Sequence, residues 1–534
     1  MMNTKKLSQQ FSYLFLLIMV LAFSSCRENK SMADDNAPFQ EKYRPQVHFT
    51  PPAHWMNDPN GMVYHNGEYH LFYQHYPEKS VWGPMHWGHA ISTDLVHWEH
   101  MPIALYPDSL GYIFSGSAVV DSKNTSGLGT EDNPPLIAFF TYHDMEAERQ
   151  ERFVEIETQA IAFSLDDGRT WTKYEHNPVL NNPGIRDFRD PKVMWHEETQ
   201  QWVMSIASGQ VIQFYTSPNC IDWKYASEYG EGVGSHDGVW ECPDLFPLQV
   251  AGSGETKWVL IVNINPGGPA GGSATQYFVG DFDGKTFTSD QDVTLWMDYG
   301  KDNYAGVTWS NAPDNRRILV GWMNNWQYAG EKPAQVWSGA ATFPRDLGLV
   351  DAGGRYLLTS KPVKEIENLY GKSESIKNIE IENSEPVFGK ISFPKAPVEI
   401  SLTFDVKDNT RMDFPGKYGI TFKNSFGEYY TIGYDNVDKY FYADRTNSTS
   451  EDISENFPSI HLVPFILNSE TTTWRIIVDA SSVEFFTSDG KVVITNVVYP
   501  SEIFDQIEVF AENGKINLTE AHITELKSIW KTNK

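Results

Sequence analysis

The sequence predicts an all-β protein, a propeller followed by a β-sandwich, and three observations predict it. Short runs of Val, Ile, Tyr, Phe and Trp alternate with Gly, Asp, Asn and Pro, and long amphipathic helical stretches are hard to find. A hairpin signature recurs. Ser92-Thr93-Asp94 leads to Trp98, Ser164-Leu165-Asp166-Asp167-Gly168 to Trp171, Thr216-Ser217-Pro218 to Trp223, and Asp281-Phe282-Asp283-Gly284 to Phe287. Each reads as a strand, a polar turn and an aromatic opening the next strand. Recurrence every 50 to 75 residues or so fits blades with insertions, each blade one four-stranded sheet. After about residue 360 the character changes. Trp thins to Trp474 and Trp530, and strict alternation puts Val398, Ile400, Leu402, Phe404 and Val406 on one face, with Glu399, Ser401, Thr403 and Asp405 on the other.

Taken in order, residues 1–25 read as a signal peptide. Lys5 and Lys6 form a positive start, and Phe11 to Phe23 is an apolar run of 13 residues, too short for the roughly 20 that a spanning helix needs. Ser24-Ser25-Cys26 after that run resembles a bacterial lipoprotein signal, with Cys26 as the lipidated residue; ordinary secretion is the alternative. Residues 26–45 are polar and read as a flexible tether. Residues 46–360 are assigned to the propeller, the charged stretch 361–375 to a linker with a short helix, and 376–534 to the sandwich. Within the sandwich, Arg475 to Phe486, the Ser488-Asp489-Gly490 turn and Lys491 to Val498 read as a hairpin.

Composition narrows the function. The chain has 534 residues with 42 Lys+Arg against 70 Asp+Glu, a formal charge of -28. That balance repels nucleic acid and anionic lipid surfaces, so a neutral partner fits better, and the membrane is engaged only through an N-terminal lipid anchor. Hydrophobic residues at 40% are ample for a large core, and 17 Trp and 26 Tyr offer flat side chains for flat ligands. Three cysteines, Cys26, Cys220 and Cys242, make no disulfide scaffold, although an oxidising compartment would allow a Cys220–Cys242 bridge. No phosphate-binding glycine loop, H-E-x-x-H or G-x-S-x-G occurs. Asp281-Phe282-Asp283-Gly284 lacks the later ligands of a calcium loop and reads as a hairpin turn, so neither metal nor cofactor is expected.

Three acidic residues stand in unusual company. Asp58 lies in Trp55-Met56-Asn57-Asp58-Pro59-Asn60-Gly61, nearly pure turn chemistry at the entrance of a strand. Asp190 lies in Phe188-Arg189-Asp190-Pro191, where Arg189 is expected to keep nearby carboxylates ionised. Glu241 lies in Trp240-Glu241-Cys242-Pro243-Asp244, where apolar neighbours would raise its pKa, as a general acid requires. Singly, each reads as well as a turn, a surface ion pair or a structural Glu. Together they supply a nucleophile or cation stabiliser and a proton donor, the pair that glycoside hydrolysis needs.

These motifs, with Phe72-Tyr73-Gln74, Trp82-Gly83-Pro84-Met85-His86-Trp87-Gly88-His89, Phe114-Ser115-Gly116-Ser117 and Gly321-Trp322-Met323-Asn324-Asn325-Trp326-Gln327-Tyr328, resemble glycoside hydrolase family 32, the fructan hydrolases and invertases, and within it the bacterial levanases and exo-fructanases. The resemblance runs from about residue 43 to 350 and more weakly through the C-terminal region. It implies a five-bladed propeller with a β-sandwich and a retaining hydrolase acting on fructan or fructo-oligosaccharide. It implies Asp58 as nucleophile, Glu241 as acid/base and Asp190 as transition-state stabiliser with Arg189 beside it. Asn57, Gln74, Ser115 and Trp326 would contact the terminal fructosyl unit, and Trp82 and Phe114 would form its apolar wall. Levan is the favoured substrate, with inulin and sucrose as further ones, in a cell envelope setting. The alternatives are endo-acting levan cleavage, fructosyl transfer, an inverting arabinan-directed propeller enzyme, and a fructan-binding envelope lipoprotein that does not cut.

Overall fold

The computed structural model describes residues 38–331, 333, 336–388 and 397–530. Cys26 and the signal segment lie outside them. Residues from Tyr43 onward form one compact unit. The expected tether is shorter at its C-terminal end than 26–45. Tyr43 and Arg44 are buried, and the Arg44 guanidinium lies 4.6 Å over the Trp337 ring while donating to Thr50 Oγ1 at 2.9 Å. An aromatic and a cation with an apolar stem had packing to gain that the polarity of the stretch concealed.

Five sheets make the propeller. Their innermost strands are His54–His65, Tyr112–Val120, Phe188–His196, Val239–Gln249 and Tyr304–Thr308. Blade one is completed by Glu68–Tyr76, His86–Ser92 and Glu99–Leu105, and Trp337–Ser338 pairs parallel with His54 and Trp55 to help close the ring. All four recurring turns join the third strand of a blade to its fourth: His86–Ser92 to Glu99–Leu105, Glu157–Ser164 to Thr172–Lys173, Val211–Ser217 to Lys224–Tyr229, and Ala274–Phe282 to Phe287–Thr288. The turn chemistry repeats too. Ser92, Ser164 and Ser217 accept backbone N–H groups two residues on, and Asp283 Oδ1 accepts those of Lys285 and Thr286 at 2.9 and 2.7 Å. The fifth copy, Asp351 to Tyr356 between Arg345–Asp351 and Tyr356–Pro362, has the Asp and the aromatic but no Ser, and was not read from the sequence.

Apolar clusters hold blade against blade. Ile137, Phe139 and Ile161 of blade two meet Phe188, Met204 and Ile206 of blade three, and Phe214 of blade three meets Leu260 and Phe278 of blade four. Among the described residues, helix is confined to short pieces such as Met145–Arg149 and Phe153–Ile156, inserted after the second strand of blade two.

The 361–375 stretch is less of a linker than expected. It holds the end of strand Tyr356–Pro362, a 3₁₀ turn Lys364–Leu369 and the start of a strand Tyr370–Glu385. That strand and Gln506–Leu526 run side by side through both layers of the sandwich. The Gln506–Leu526 strand pairs with Lys417–Lys423 through Gln506–Glu512, then with Val398–Asp405 through Leu518–Glu525, bending between them at Asn513, whose φ is 58°. Ile400, Leu402, Phe404 and Trp474 fill the core as the alternation predicts. Glu399, expected outside, is buried as the partner of Arg475. The run Arg475 to Phe486 is not one strand: it turns at Ala480-Ser481, between Thr471–Asp479 and Ser482–Thr487, before the Asp489-Gly490 turn leads to Val493–Val497.

Sandwich and propeller share buried charge. Arg345 donates to Asp298 Oδ2 and Glu484 Oε2, both at 2.9 Å, and His48 bridges Asp479 Oδ2 at 2.7 Å and Glu484 Oε1 at 3.1 Å. Arg445 reaches Asp302 Oδ2 at 2.7 Å.

Candidate active site

Every innermost strand carries the same irregularity at one level of the axis. Asn57-Asp58 stand opposite Gln74 alone, Phe114-Ser115 opposite Thr141, Asp190-Pro191 opposite Ile206, Cys242-Pro243 opposite Val262, and Ala305-Gly306 opposite Gly321. Each is a bulge of two residues against one, which bends a strand and re-aims its side chains. Asp190, Cys242 and Ala305 take φ of 66°, 42° and 52° at these points, a left-handed backbone that non-glycine residues hold only when their surroundings over-determine it. Pro191 and Pro243, which cannot donate to a ladder, fall where the pairing is already broken. Asp58 therefore lies inside its strand rather than in a turn before it. Bulges and turns call on the same residues, which is why the two readings were not separable in sequence.

Bulge residues of the first three inner strands, Asn57-Asp58, Phe114-Ser115 and Asp190, line a cavity of about 260 Å³, with Glu241 from the edge of the fourth bulge. Asp58, Asp190, Glu241, Asn57, Gln74, Trp82, Phe114, Ser115, Arg189 and Trp326 all line it. Asp58 accepts hydrogen bonds from Asn57 Nδ2 at 2.9 Å and Ser115 Oγ at 2.7 Å. Trp55 Nε1 fixes Asn57 by donating to its Oδ1 at 2.7 Å, and Gln74 donates to Asn60 at 2.7 Å. Trp326 stacks on Trp55 with ring centroids 6.0 Å apart. Trp82, 40% exposed, stands edge-on to Phe114 at the mouth, and Phe114 stacks on His143 at 4.2 Å.

The Cys242 thiol sits 3.6 Å from Asp58 Oδ2 and 3.5 Å from Asp190 Oδ2, which holds the two carboxylates within about 7 Å of each other. Its backbone N–H donates to Asp190 Oδ2 at 2.9 Å. Cys220 and Cys242 are both free and buried, so they form no bridge.

Arg189 does not act as its position beside Asp190 suggests. Its guanidinium turns away to Glu241 Oε1 at 3.0 Å, Glu157 Oε1 at 3.1 Å and Asp187 Oδ1 at 2.7 Å. Burial therefore dominates at Asp190 and pushes its pKa up to about 7, the charges of Glu241 and Asp58 adding to it against the pull of Arg189. The expectation that Arg189 keeps nearby carboxylates ionised is corrected at Asp190, because the backbone directs the two side chains to different partners, while at Glu157 the Arg189 charge does hold the pKa down against burial. Burial also raises the Asp58 carboxyl, opposed by the bonds from Ser115 and Asn57. It raises Glu241, opposed by Arg189 and by Tyr304, whose hydroxyl donates to Glu241 Oε2.

A model of the glycosyl hydrolases family 32 N-terminal domain matches residues 48–362, and one of the family's C-terminal domain matches residues 365–525. The chain belongs to glycosyl hydrolase family 32. It is 44% identical to a levanase of Bacillus subtilis over 536 positions, covering 99% of this chain and 76% of that protein. An extracellular exo-inulinase of Aspergillus awamori is 38% identical over 526 positions, 92% of this chain and 96% of that one. Among solved structures, exo-inulinase from the same fungus superposes with a TM-score of 0.85 at 37% identity, covering 92% of this chain and 100% of that chain. A fructofuranosidase of Schwanniomyces occidentalis complexed with fructosylnystose gives 0.83 at 32% identity, covering 92% and 99%. This family 32 member is thus a glycoside hydrolase, built as a five-bladed propeller with a C-terminal β-sandwich.

The structure brings to the cavity and its lining carboxylates residues that sequence reasoning did not select. Tyr304 opens the inner strand of blade five and meets Glu241. Glu157 ties Arg189 to His143 and takes the Phe188 N–H at 2.6 Å. Glu148 and Ile156 come from the two short helices. Only Tyr304 had a signal: it heads a short apolar run, Tyr304 to Thr308, at the spacing expected of a fifth inner strand.

Proposed function

We propose that the protein is a retaining β-fructosidase that releases fructose from the ends of β-fructans, levan first, with inulin and sucrose as further substrates. One observation carries the reading. Three acids distant in the chain, Asp58, Asp190 and Glu241, line a single cavity at one end of the propeller axis. Asp58 attacks the anomeric carbon of a terminal β-fructosyl unit while Glu241, whose pKa burial raises, gives its proton to the departing glycosidic oxygen. Glu241 then takes a proton from water, which attacks the fructosyl-enzyme and frees Asp58. Asp190 holds ring hydroxyls as the ring flattens towards an oxocarbenium ion, with Arg189 steering Glu241. Asn57, Gln74, Ser115 and Trp326 contact the terminal unit, and Trp82 and Phe114 form its apolar wall.

A cavity of about 260 Å³ suits a chain end rather than the middle of a polymer, which supports exo action, and the name of the exo-inulinase points the same way. The extracellular relatives support work outside the cytoplasm, and Ser24-Ser25-Cys26 supports an envelope lipoprotein anchored at Cys26. Chromatography of early products from levan and from inulin tests the reading: fructose alone is expected, and an oligomer ladder would make the enzyme endo-acting. Glu241→Gln is expected to lower fructose release by about 10²- to 10⁴-fold. An unchanged rate would overturn the assignment of the acid.

A further inference from the structure

One ring joins the aromatic wall of the cavity to its candidate acid. His143 ends the second strand of blade two, Leu136–His143, and stands directly opposite Glu157 on the third. The helical insertion, residues 144–156, leaves and re-enters the blade at this pair, closed by the Asp144 N–H donating to Ile156 O at 2.8 Å. His143 is 6% exposed and lines the cavity, and three groups fix its ring. Phe114 stacks on its face, with centroids 4.2 Å apart and planes 9° from parallel. Nδ1 donates to Glu157 Oε1 at 3.2 Å, and Nε2 meets Glu148 Oε2 of the insertion at 3.3 Å.

The residue type follows from these demands. An imidazole is flat enough to stack and has a hydrogen-bonding atom at two edges of its plane; a phenyl ring has none, and Tyr and Trp have one each. The stack fixes the tilt of the ring and the two in-plane bonds fix its rotation, so Phe114 lies against a surface held from three sides. Beyond Phe114 stands Trp82, with ring centroids 6.3 Å apart. In the other direction the contacts run to Glu241. Glu157 Oε1, which takes the His143 bond, also takes Arg189 Nη1 at 3.1 Å, and Arg189 Nη2 reaches Glu241 Oε1 at 3.0 Å. Burial opposes the charge of Glu157, but Arg189 and His143 outweigh it and hold its pKa down. An ionised carboxylate only accepts, so Nδ1 carries a proton.

We infer that His143 is a positioning residue for the reaction, which holds Phe114 square to the fructosyl unit with its face and shares Glu157 with Arg189 so that the guanidinium stays on Glu241; that role rests on the fructosidase reading above. The insertion of blade two takes part as well, because Glu148 is the group that clamps the ring from its side. Without the Nδ1 donor, Glu157 Oε1 is left to Arg189 and draws it off Glu241. The Glu241 pKa then rises, since Arg189 opposes burial there. Without the ring, Phe114 loses its support and the terminal unit its wall.

The test is steady-state sucrose hydrolysis across the pH range by full-length His143→Asn and His143→Phe proteins, with thermal midpoints alongside. Asn places its amide where Nδ1 stood and has no ring, whereas Phe keeps the ring and has neither bond. In His143→Asn, KM is expected to rise about three- to tenfold with the alkaline limb of kcat/KM in place. In His143→Phe, KM is expected to hold within about twofold while the limb moves up by about half a unit and kcat falls about tenfold. Variants that lose activity and thermal midpoint alike, with KM and the limb unmoved, would show that His143 only holds the blade together and would overturn the proposal alone. If His143→Phe does not fold, His143→Asn decides: a raised KM with the limb in place supports the role, and an unchanged KM overturns it. Wild-type protein that frees no fructose from sucrose, inulin or levan overturns the fructosidase reading and this role with it.

Discussion

Replacing Tyr304 by Phe removes one hydroxyl and tests how the acid is tuned. Tyr304 is 1% exposed and its hydroxyl donates to Glu241 Oε2, so water is not at hand to take its place. A donor bonded to a carboxylate favours the ionised form and holds the pKa down, so Tyr304 opposes the burial that raises Glu241. A hydrogen bond to a charged group contributes about 1.5–3 kcal/mol, which is about one to two units of pKa. Some of this returns if Arg189, 3.0 Å from the other oxygen, closes further on Glu241, so about one unit is expected. The alkaline limb of kcat/KM reports the group that must be protonated in the free enzyme. In Y304F that limb moves up by about one unit while KM on sucrose stays within about twofold. Rates fall by about tenfold at the optimum, because the Glu241 carboxylate left after proton transfer has lost a donor. The measurement is initial fructose release across the pH range. A limb that stays in place, or moves down, would refute the role given to Tyr304 and weaken that given to Glu241.

Other outcomes follow from the same contacts. Ser115→Ala strips the 2.7 Å bond from Asp58 Oδ2, raising the Asp58 pKa further and lowering kcat by about tenfold to a hundredfold, with the acid limb of the profile moving to higher pH. Arg345→Met leaves Asp298 buried without its cation and Glu484 with His48 alone. Chemical denaturation should show a loss of about 3–5 kcal/mol, and an unchanged midpoint would mean that the interface carries no such load. Burial works to lower the His48 pKa, but bonds to Asp479 and Glu484 outweigh it and raise it to about 9. Its contribution, about 3 kcal/mol, is thus whole below pH about 6.5 and lost as pH rises through about 9. Glu484, held down to about 2 by the Arg345 and His48 charges against its own burial, contributes stability that is present above about 4.5 and lost as pH falls towards 2. His48→Gln should flatten the alkaline side of a thermal-stability profile and leave the rest of its shape alone.

What the sequence carried and what it hid divide along one physical line. Alternation and turn chemistry are local, so the four third-to-fourth-strand hairpins and the Val398 to Val406 face were legible. The bulges were not, because Asn57-Asp58-Pro59 has the composition of a turn and only its partner strand, opposite Gln74, makes it a bulge. The residues that gather in the cavity were legible as motifs, and all ten assigned to it by sequence line it. The direction of Arg189 was not. A neighbour in sequence is a neighbour on a strand only if both side chains face the same way, and adjacent residues on a strand do not. Tyr304 had only the spacing of a fifth inner strand to mark it, and Glu157 and Glu148 stand in segments with no repeat or motif of their own; they reach the site through the closure of the ring and the helical insertion in blade two. Glu399 and the Ala480-Ser481 turn were misread for the same reason: a long-range partner overrode the local pattern.

On the function proposed above, the arrangement of charge would let one cavity supply both an acid and a nucleophile. Asp58, Glu148, Glu157, Asp187, Asp190 and Glu241 line it, against Arg186 and Arg189. Arg189 is spent on Glu157, Asp187 and Glu241, and neither Asp58 nor Asp190 has a cation in hydrogen-bonding contact. Burial raises the pKa of Asp58, Glu241 and Asp190, that of Asp190 to about 7, so the cavity retains a proton near neutral pH. That proton makes general acid catalysis possible where isolated carboxyls would be ionised. The remaining negative charge favours the cation-like sugar of the transition state over the neutral sugar of the ground state, which is where stabilisation accelerates a reaction. The sign of the whole chain, -28, agrees with that of the cavity.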